Sequence, residues 1–327
     1  VRIGGDFQGN GSLPNALYLG VDADTTISAD AGQVGDGGRV ILWSDIRTEF
    51  GGKISARGGV ESGDGGFVEV SSKETLAFSG IVDTSAANGA FGTLLLDPFN
   101  ITISDDPSTT LSFFVGSGEV SLFPDSNNSV INVGVIESNL ASTNVIVDTG
   151  LDSGGGESPG GQNGDITVAS QVDWNTASTL TLFANGDITL NAGINGPSGG
   201  LDLFALGDIT TGPAGTVEVD TFQLTSGDWR QIGTLPAFNA RDFRINPSFG
   251  ASFLRASRGV GSAANPYVLD DIYGVQGLGT VGLGDQSFAL ERDIDAVGTD
   301  EWNLGTGFAA IGGPVAPFTG SLDGQGN

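Results

Sequence analysis

Hydrophobic and polar residues alternate with a period of two along much of the chain. The segments 40–44 and 67–71 show this alternation, and both are bounded by Gly-Gly and Asp-Gly pairs. Alternate residues of a β-strand point to opposite faces, and such glycine-containing pairs favour tight turns. The pattern therefore predicts short β-strands joined by glycine-rich turns.

The strand-and-turn pattern repeats at fixed spacing. Gly35–Val40, with the sequence GDGGRV, returns 28 residues later as GDGGFV at Gly63–Val68. A second series carries Gly-Asp-Ile-Thr at 164–167, 186–189 and 207–210, with spacings of 22 and 21 residues. Repetition at a fixed period indicates that one repeat is one structural unit.

The repeat length and the composition predict the same fold. About 20 to 30 residues suffice for one turn of a three-faced β-solenoid, with the next turn stacked roughly 4.8 Å away. The 55 glycines and the charged fraction of 16% leave little material for amphipathic helices, whereas 38% hydrophobic residues can form a core. We predict an all-β chain folded as a right-handed parallel β-helix with Gly-, Asn- and Asp-rich turns.

Basic residues are distributed unevenly along the chain. No Lys or Arg occurs between Lys73 and Arg230, whereas five arginines lie between Arg230 and Arg258. The stretch 261–267 that follows consists of turn-forming residues and predicts a loop. We therefore predict two modules, residues 1–258 and residues 259–327. Because the chain starts without a leader and stops among turn residues, we expect it to belong to a longer protein.

The chain is strongly acidic, with 39 Asp and Glu against 12 Lys and Arg and a formal net charge of -27. Phosphate groups are bound through Lys and Arg, so nucleic acid and anionic lipid are disfavoured as partners. No apolar run approaches the roughly 20 residues that span a bilayer, so we expect no membrane insertion.

Residue types needed for several kinds of active site are missing from the sequence. The chain has neither His nor Cys, which excludes metal sites built on them and Ser-His-Asp or Cys-His nucleophiles. Carboxylate pairs remain, as in glycosidases, and the adjacent pairs are Asp105-Asp106 and Asp270-Asp271. Strand neighbours point to opposite faces, so neither pair should converge. We predict no catalytic, cofactor-binding or metal-binding residues and no enzymatic activity.

Two glycine-rich stretches resemble ligand-binding motifs. Gly277–Gly282 fits the dinucleotide pattern G-x-G-x-x-G, but no helix-forming sequence follows it, so a turn is expected. Gly160–Asp165 partly matches the Ca²⁺-binding β-roll nonapeptide, although Asn163 replaces a required Gly and no tandem copy follows. No cofactor is predicted, and loose binding of Ca²⁺ to the acidic surface is kept as an alternative.

Two sets of side chains have both a structural and a binding interpretation. One is a set of phenylalanines that would form a sugar-stacking stripe or, as we favour, internal ladders in the core: Phe50, Phe78, Phe183 and Phe204. The other is a set of arginines that would contact an anionic glycan or, as we favour, pair with the chain's own carboxylates on a solvated face: Arg230, Arg241, Arg244, Arg255 and Arg258.

The repeats of the first part of the chain resemble a known family. Gly4–Gly9, with the sequence GGDFQG, and the repeats of 35–44 and 63–70 look like passengers of filamentous-haemagglutinin-type exoproteins. The run 93–98, TLLLDP, resembles a recurrent element of the same proteins. This likeness covers roughly residues 1–215.

The last part of the chain resembles a different repeat. Within 261–326, the sequences FAAIG at 308–312, PFTG at 317–320 and LDG at 322–324 are similar to the GLUG repeat of bacterial surface proteins. The resemblance implies a further β-rich repeat module, which would be truncated here.

The family resemblance implies two-partner secretion through an outer-membrane barrel transporter, and a secreted or cell-surface location associated with the outer membrane. It implies an adhesin or structural passenger rod that contacts a glycan or protein receptor on a host or neighbouring cell. The alternative is a carbohydrate-active β-helix enzyme, a polysaccharide lyase or hydrolase, which would need a localised cleft with convergent carboxylates. A spacer that only scaffolds is a third alternative.

Overall fold

The structure is a computed structural model, and it describes residues 1–109, 112–116, 119–123, 129–150, 163–312 and 317–326. β-Strands dominate these residues. In chain order they are β1 (Arg2–Ile3), β2 (Ala16–Val21), β3 (Thr26–Ser28), β4 (Arg39–Phe50), β5 (Lys53–Ser55), β6 (Phe67–Ser72), β7 (Thr75–Phe78), β8 (Ile81–Asp83), β9 (Thr93–Asp97), β10 (Ile101–Ser104), β11 (Ser112–Gly116), β12 (Glu119–Phe123), β13 (Ser129–Asn132), β14 (Asn144–Asp148), β15 (Ile166–Val168), β16 (Val172–Asp173), β17 (Thr179–Ala184), β18 (Ile188–Leu190), β19 (Ile194–Thr211), β20 (Val217–Ile232), β21 (Phe238–Ile245), β22 (Ser252–Ala256), β23 (Tyr267–Leu269), β24 (Ser287–Leu290) and β25 (Ser321–Asp323).

Helical structure is short in the same residues, as the composition predicts. The helices are α1 (Val133–Leu140), α2 (Ile272–Gly277) and α3 (Trp302–Gly305), and single 3₁₀ turns lie at Phe7–Gly9, Pro247–Phe249 and Thr299–Glu301. In the described part of the chain, no helix is both long enough and apolar enough to cross a bilayer.

One large sheet contains 17 of the described strands, and its strand pairs are parallel. The pairing follows the sequence repeats. Phe50 is aligned with Phe78, an offset of 28 residues, and Ile166, Ile188 and Ile209 are aligned at offsets of 22 and 21. The prediction of an all-β chain of stacked parallel strands is confirmed.

The core lies on one side of these strands and is filled by every second residue. On β4 and β6 the buried residues Val40, Leu42, Val68 and Val70 belong to one continuous apolar cluster that extends through β21. Phe50 and Phe78 also belong to it, are fully buried, and stack with ring centroids 5.7 Å apart. The predicted internal ladder is confirmed for these two phenylalanines.

Helix α1 closes the edge of a smaller parallel sheet formed by β3, β5 and β8. Asn139 on α1 accepts a hydrogen bond from the N–H of Val82 (2.7 Å) and donates one to the carbonyl of Gly80 (3.2 Å). Thr143 accepts one from the N–H of Thr84 (3.1 Å). These buried side chains supply the hydrogen bonds that a further strand would have made, so the small sheet ends at β8.

The aspartates of the repeated Gly-Asp turns connect one repeat to the next. Oδ1 of Asp165 accepts from the N–H of Asp187 (2.9 Å), and Oδ1 of Asp187 accepts from the N–H of Asp208 (2.8 Å). In the first series, Oδ1 of Asp36 accepts in the same way from the N–H of Asp64 (2.8 Å). The recurring Asp therefore satisfies a backbone donor at each turn.

The last part of the chain has a second, smaller core. It joins Leu254 and Ala256 of β22 with Tyr267, Leu269 and Phe288 of the sheet formed by β23, β24 and β25. Residues on both sides of position 259 thus share one core. The side chain of Trp302 packs instead into the first core, with its ring 5.1 Å from that of Phe243. The division into modules 1–258 and 259–327, and the GLUG-like character of the second, stay predictions.

The close packing of the phenylalanine ladder predicts the effect of one added methyl group. A Cβ on Gly80 would lie 2.2 Å from Cε1 of Phe50, whereas a Cβ on Gly20 would meet no atom within 4 Å. We expect Gly80→Ala to lower the free energy of unfolding by about 1–3 kcal/mol, because overpacking displaces the buried ring. Gly20→Ala is the matched control in urea denaturation, and equal losses in the two variants would contradict the packing described.

Asp165, Asp187 and Asp208, which we call the Asp ladder, predict a difference between two substitutions at one position. Asp187→Ala removes the acceptor for the N–H of Asp208 and should cost about 1 kcal/mol of unfolding free energy. Asp187→Asn keeps an amide oxygen as acceptor and should cost less. Denaturation midpoints of the two variants measure the difference; a larger loss for Asn than for Ala would mean that the hydrogen bond is not what the Asp contributes.

Candidate functional site

The parallel register arranges the residues opposite the core in columns across the large sheet. We call the surface formed by these residues on β4, β6, β9, β14, β17, β19, β20 and β21 the outer face. One column runs along the ends of the strands and contains Trp43, Ser71, Asp97, Asp148, Phe183, Phe204 and Ser226. The next column contains Ile41, Glu69, Leu95, Ile146, Thr181, Asp202, Gln223 and Arg244. These columns thus continue across eight neighbouring strands.

Three acidic residues of the two columns form what we call the carboxylate cluster: Glu69, Asp97 and Asp148. Leu96 is aligned with Val147, which makes Asp97 and Asp148 the next residues of adjacent strands. Glu69 is completely buried and Asp97 is 8% exposed. The cluster therefore holds three acidic groups close together and largely out of water.

The N-terminal turn Phe7–Gly9 lies over the carboxylate cluster. The backbone N–H of Gln8 donates to Oε1 of Glu69 (2.9 Å), and its side-chain amide lies 3.5 Å from Oδ2 of Asp97. Gln8 has a left-handed φ of 49°, an unusual conformation for a residue other than Gly. Next to it, Gly9 packs on the indole of Trp43, where a Cβ would lie 2.6 Å from Nε1. The turn excludes solvent from one end of the outer face.

Burial in this environment disfavours the charged forms of the cluster. Burial raises the pKa of Glu69 from 4.5 to about 7, against the hydrogen bond from Gln8 and the charge of Arg39, which lower it. Burial, followed by the negative charges of Asp148 and Glu69, raises the pKa of Asp97 well above its usual range, and burial also raises that of Asp148. Neutral carboxyl groups are therefore favoured here at mildly acidic pH.

The aromatic pair of the outer face corrects one prediction. Phe183 and Phe204 stack with centroids 4.0 Å apart and planes 2° from parallel, but they alternate with the buried residues Leu182 and Ala205 and are half-buried themselves. The prediction that they form an internal ladder is wrong: the ladder lies on the outer face. Because the rings stack along the column, they cover each other's faces and direct their edges away from the sheet. This pair is not a flat platform for a sugar ring.

A polar network continues the second column beside this aromatic pair. Asp202 accepts hydrogen bonds from Thr225 (2.9 Å) and from Gln223 (3.3 Å), and burial raises its pKa. Arg244 of the next strand pairs with Asp242 (2.5 Å). A pocket of about 250 Å³ is lined by Gln223, Arg244 and residues of α3. This open end of the outer face offers donors and acceptors suited to the hydroxyl groups of a ligand.

The carboxylates of the adjacent acidic pairs contact neighbouring side chains of the chain itself. Asp105 bonds to Ser170 (3.0 Å) and Asp106 lies 3.4 Å from Ser104, and both are exposed. Asp270 pairs with Arg292 (2.6 Å). Asp271 pairs with Arg255 and caps α2 by accepting from the N–H of Gly274 (2.9 Å). Each of these carboxylates thus has its own partner, and the expectation that neither pair converges stays a prediction.

The structure places the two glycine-rich motifs in turns between secondary-structure elements, as far as they are described. Gly277–Gly282 begins at the last residue of α2, and the turns predicted from the sequence start after Gly277 and lead towards β24. Of the partial nonapeptide, residues 160–162 lie outside the described residues, and Asp165 belongs to the Asp ladder. In the described ranges, no group of three or more acidic side chains has the geometry to hold a metal ion. Loose Ca²⁺ binding stays a prediction.

The predicted pairing of the clustered arginines with the chain's own carboxylates is confirmed for four of the five. Besides the pairs already described for Arg244 and Arg255, Arg241 pairs with Asp220 and Arg258 with Glu291, both at 2.6 Å. Arg230 donates to the hydroxyl of Tyr267 (3.2 Å). The expectation of a solvated face is wrong for Arg255, whose side chain is only 5% exposed because it lies between β20 and α2.

The carboxylate cluster was missed by sequence reasoning. One signal was present, because Glu69 sits between the core residues Val68 and Val70 and must therefore face outward. The sequence gives no sign that Asp97 and Asp148 lie on adjacent strands, since about fifty residues that follow neither repeat separate the two strands.

The cluster predicts a pH dependence of stability that one substitution reduces. The pKa of Glu69 is higher in the folded chain (about 7) than the ordinary 4.5, so its contribution to stability is complete below pH 4.5 and is lost as pH rises through 7. The loss amounts to about 3 kcal/mol. Glu69→Gln keeps the acceptor for Gln8 and should lose less stability over this range.

Urea denaturation from about pH 4 to about pH 8 measures this effect. Glu61→Gln, at an exposed position, is the control and should follow the wild-type curve. If Glu69→Gln falls as steeply as the wild type, ionisation of Glu69 does not limit the stability of the fold.

Comparisons with known proteins leave the family open. No protein-family model matches the chain. A segment of 70 residues, 20% of this chain, is 40% identical to halomucin of Haloquadratum walsbyi. The matched segment makes up 1% of halomucin, so the chain corresponds to a very small part of that protein's length. The similarity connects a short stretch of this chain with a much larger protein.

Proposed function

We propose that this chain is a stretch of a large bacterial surface protein of the filamentous-haemagglutinin type, acting as an adhesin or structural passenger rod. In this proposal the stacked parallel strands form a right-handed β-helix and the last residues form a GLUG-like module. The observation that carries the proposal is the outer face, where one set of columns continues across eight strands. Such a face suits binding that is distributed along a rod.

The polar end of the outer face supports a role in contact with a receptor. The network of Asp202, Gln223 and Thr225 holds donors and acceptors at a repeat of one strand, roughly 4.8 Å. A repeating ligand such as a glycan chain could be matched by groups at regular spacing. We propose a glycan or protein receptor on a host or neighbouring cell, and no binding of nucleic acid or insertion into membranes.

Export and location belong to the same proposal. An outer-membrane barrel transporter would export the parent protein, which would be secreted or held at the cell surface. The partial similarity to halomucin, a far larger chain, agrees with a place in a large protein but identifies neither receptor nor transporter.

A carbohydrate-active enzyme is the second candidate, because the carboxylate cluster brings acidic groups together. Glycosidases need two carboxylates that both reach the scissile bond from opposite sides. Here Glu69 is fully buried and the turn of Gln8 covers it, so a sugar would have to displace Phe7–Gly9 to approach. We therefore propose that the cluster stabilises the fold and that the chain is not an enzyme.

A binding screen separates the two candidates. The whole chain is applied to an array of glycans and matrix proteins, and the same wells are assayed for new reducing ends and unsaturated sugars. We expect saturable binding without product, unchanged by EGTA if Ca²⁺ is only loosely held. Turnover that Asp97→Asn abolishes would replace the adhesin with the enzyme, and Asp105→Asn, at an exposed pair, is the matched control.

A further inference from the structure

Arg39 is held in an unusual position at the start of β4. Its guanidinium carbon lies 4.6 Å from the ring centroid of Phe7 and 4.7 Å from that of Phe67, and the two rings meet edge to face at 5.8 Å. Contact with two aromatic rings restricts the side chain to one orientation while leaving the residue exposed. The cation is therefore fixed before any ligand arrives.

The Arg39 side chain makes no hydrogen bond or ion pair with any residue in the described ranges. This is unexpected in a chain with 39 acidic residues and 12 basic ones. Seven other arginines pair with carboxylates: Arg2, Arg57, Arg241, Arg244, Arg255, Arg258 and Arg292. The donors of an arginine form a planar fork that fits a carboxylate, and in Arg39 this fork is unoccupied.

A pocket of about 410 Å³ lies directly beside this arginine, and its wall includes Arg2, Asp6, Phe7, Gln8, Asn10 and Arg39. Arg2 and Asp6 form an ion pair at 2.7 Å, so together they add no net charge. The net charge of the wall is thus that of Arg39. A volume of this order suits one or two sugar rings, and pockets for small ligands start at about 300 Å³.

We propose that this pocket binds the carboxylate of an acidic sugar, such as a uronic acid residue of a glycan, through the guanidinium of Arg39. This inference rests on the proposed adhesive function and names its ligand class. A singly charged carboxylate is favoured over a phosphate monoester, which carries close to two negative charges near neutral pH, because the net charge of -27 penalises each further negative charge. The amide side chains of the wall suit the hydroxyl groups of a sugar, and the exposed part of Phe7 its apolar face.

The test compares two ligands that differ only in the charged group. Trigalacturonate and its methyl ester are titrated into the whole chain by isothermal titration calorimetry. We expect the acid to bind at least about tenfold more tightly than the ester, since the ester loses the charge-assisted hydrogen bonds. This comparison needs no variant and does not depend on how a substitution affects folding.

Variants then locate the site. Arg39→Ala should weaken binding of trigalacturonate by about tenfold or more, and Arg39→Lys should restore only part of it, because Lys lacks the planar fork. Arg57→Ala is the control, since it removes the same charge from an exposed position paired with Asp30 elsewhere on the surface. Thermal unfolding of each variant establishes that the chain remains folded.

Several results would overturn the inference. They are equal affinity for acid and ester, no effect of Arg39→Ala, an equal effect of Arg57→Ala, or tighter binding of an acidic peptide than of trigalacturonate. The array of the previous section distinguishes this failure from failure of the proposed function. If the chain still binds array glycans or proteins but not through Arg39, only the site is wrong; if it binds nothing on the array, the adhesive function is wrong as well.

Discussion

The structure depends on the parallel pairing of each strand with the strand one repeat later. That register is fixed by backbone hydrogen bonds at offsets of 28, 22 and 21 residues. It forces equivalent positions of successive repeats to become neighbours about 4.8 Å apart. Every side chain therefore has to be compatible with its counterpart in the next repeat. Aromatic residues satisfy this by stacking, as Phe50 and Phe78 do in the core and Phe183 and Phe204 do on the outer face.

Acidic residues are difficult to accommodate under the same constraint, because like charges in one column repel each other. The structure meets this difficulty in three ways. In the turns, Asp187 accepts from a backbone N–H of the next repeat. On the sheet, Asp220 pairs with Arg241 one repeat later, and that arginine keeps the pKa of Asp220 below its usual value. In the carboxylate cluster, burial under the N-terminal turn raises the pKa values and so favours the neutral forms, which do not repel each other.

The repeats made much of this fold predictable. The offsets, the parallel stacking and the ladder of Phe50 and Phe78 all follow from regular spacing and alternation. The prediction for Phe183 was wrong because it followed the hydrophobicity of the residue and not the alternation along its strand. Its neighbours Leu182 and Ala184 occupy the core, so Phe183 has to face outward. Hydrophobic character alone does not determine the face on which a strand residue lies.

Other features could not be predicted because they depend on segments without a repeat. The pairings of β9 with β14 and of β10 with β15 join residues 51 and 65 positions apart, as in Leu94 with Val145 and Ile101 with Ile166. The length of such an insertion does not reveal where the chain rejoins the sheet. The position of the turn over Glu69 has the same origin, since the hydrogen bond from Gln8 spans 61 residues. The proximity of Asp97 to Asp148 and the covering of Glu69 thus both depend on contacts between residues far apart in the sequence.

The outer face differs between its two ends, and this difference bears on which side chains a ligand could reach. At β4 to β9 the turn Phe7–Gly9 covers the sheet, buries the carboxylates and leaves Arg39 as the exposed charge. At β17 to β21 the aromatic pair and the network of Asp202 remain half-buried, and residues of α3 line a pocket beside Gln223. Hydrolysis of a sugar would require the acidic groups at the open end, but the chain places its convergent carboxylates at the covered end. In the described part of this face, a ligand can reach hydrogen-bonding side chains and Arg39, and we propose that these groups serve recognition.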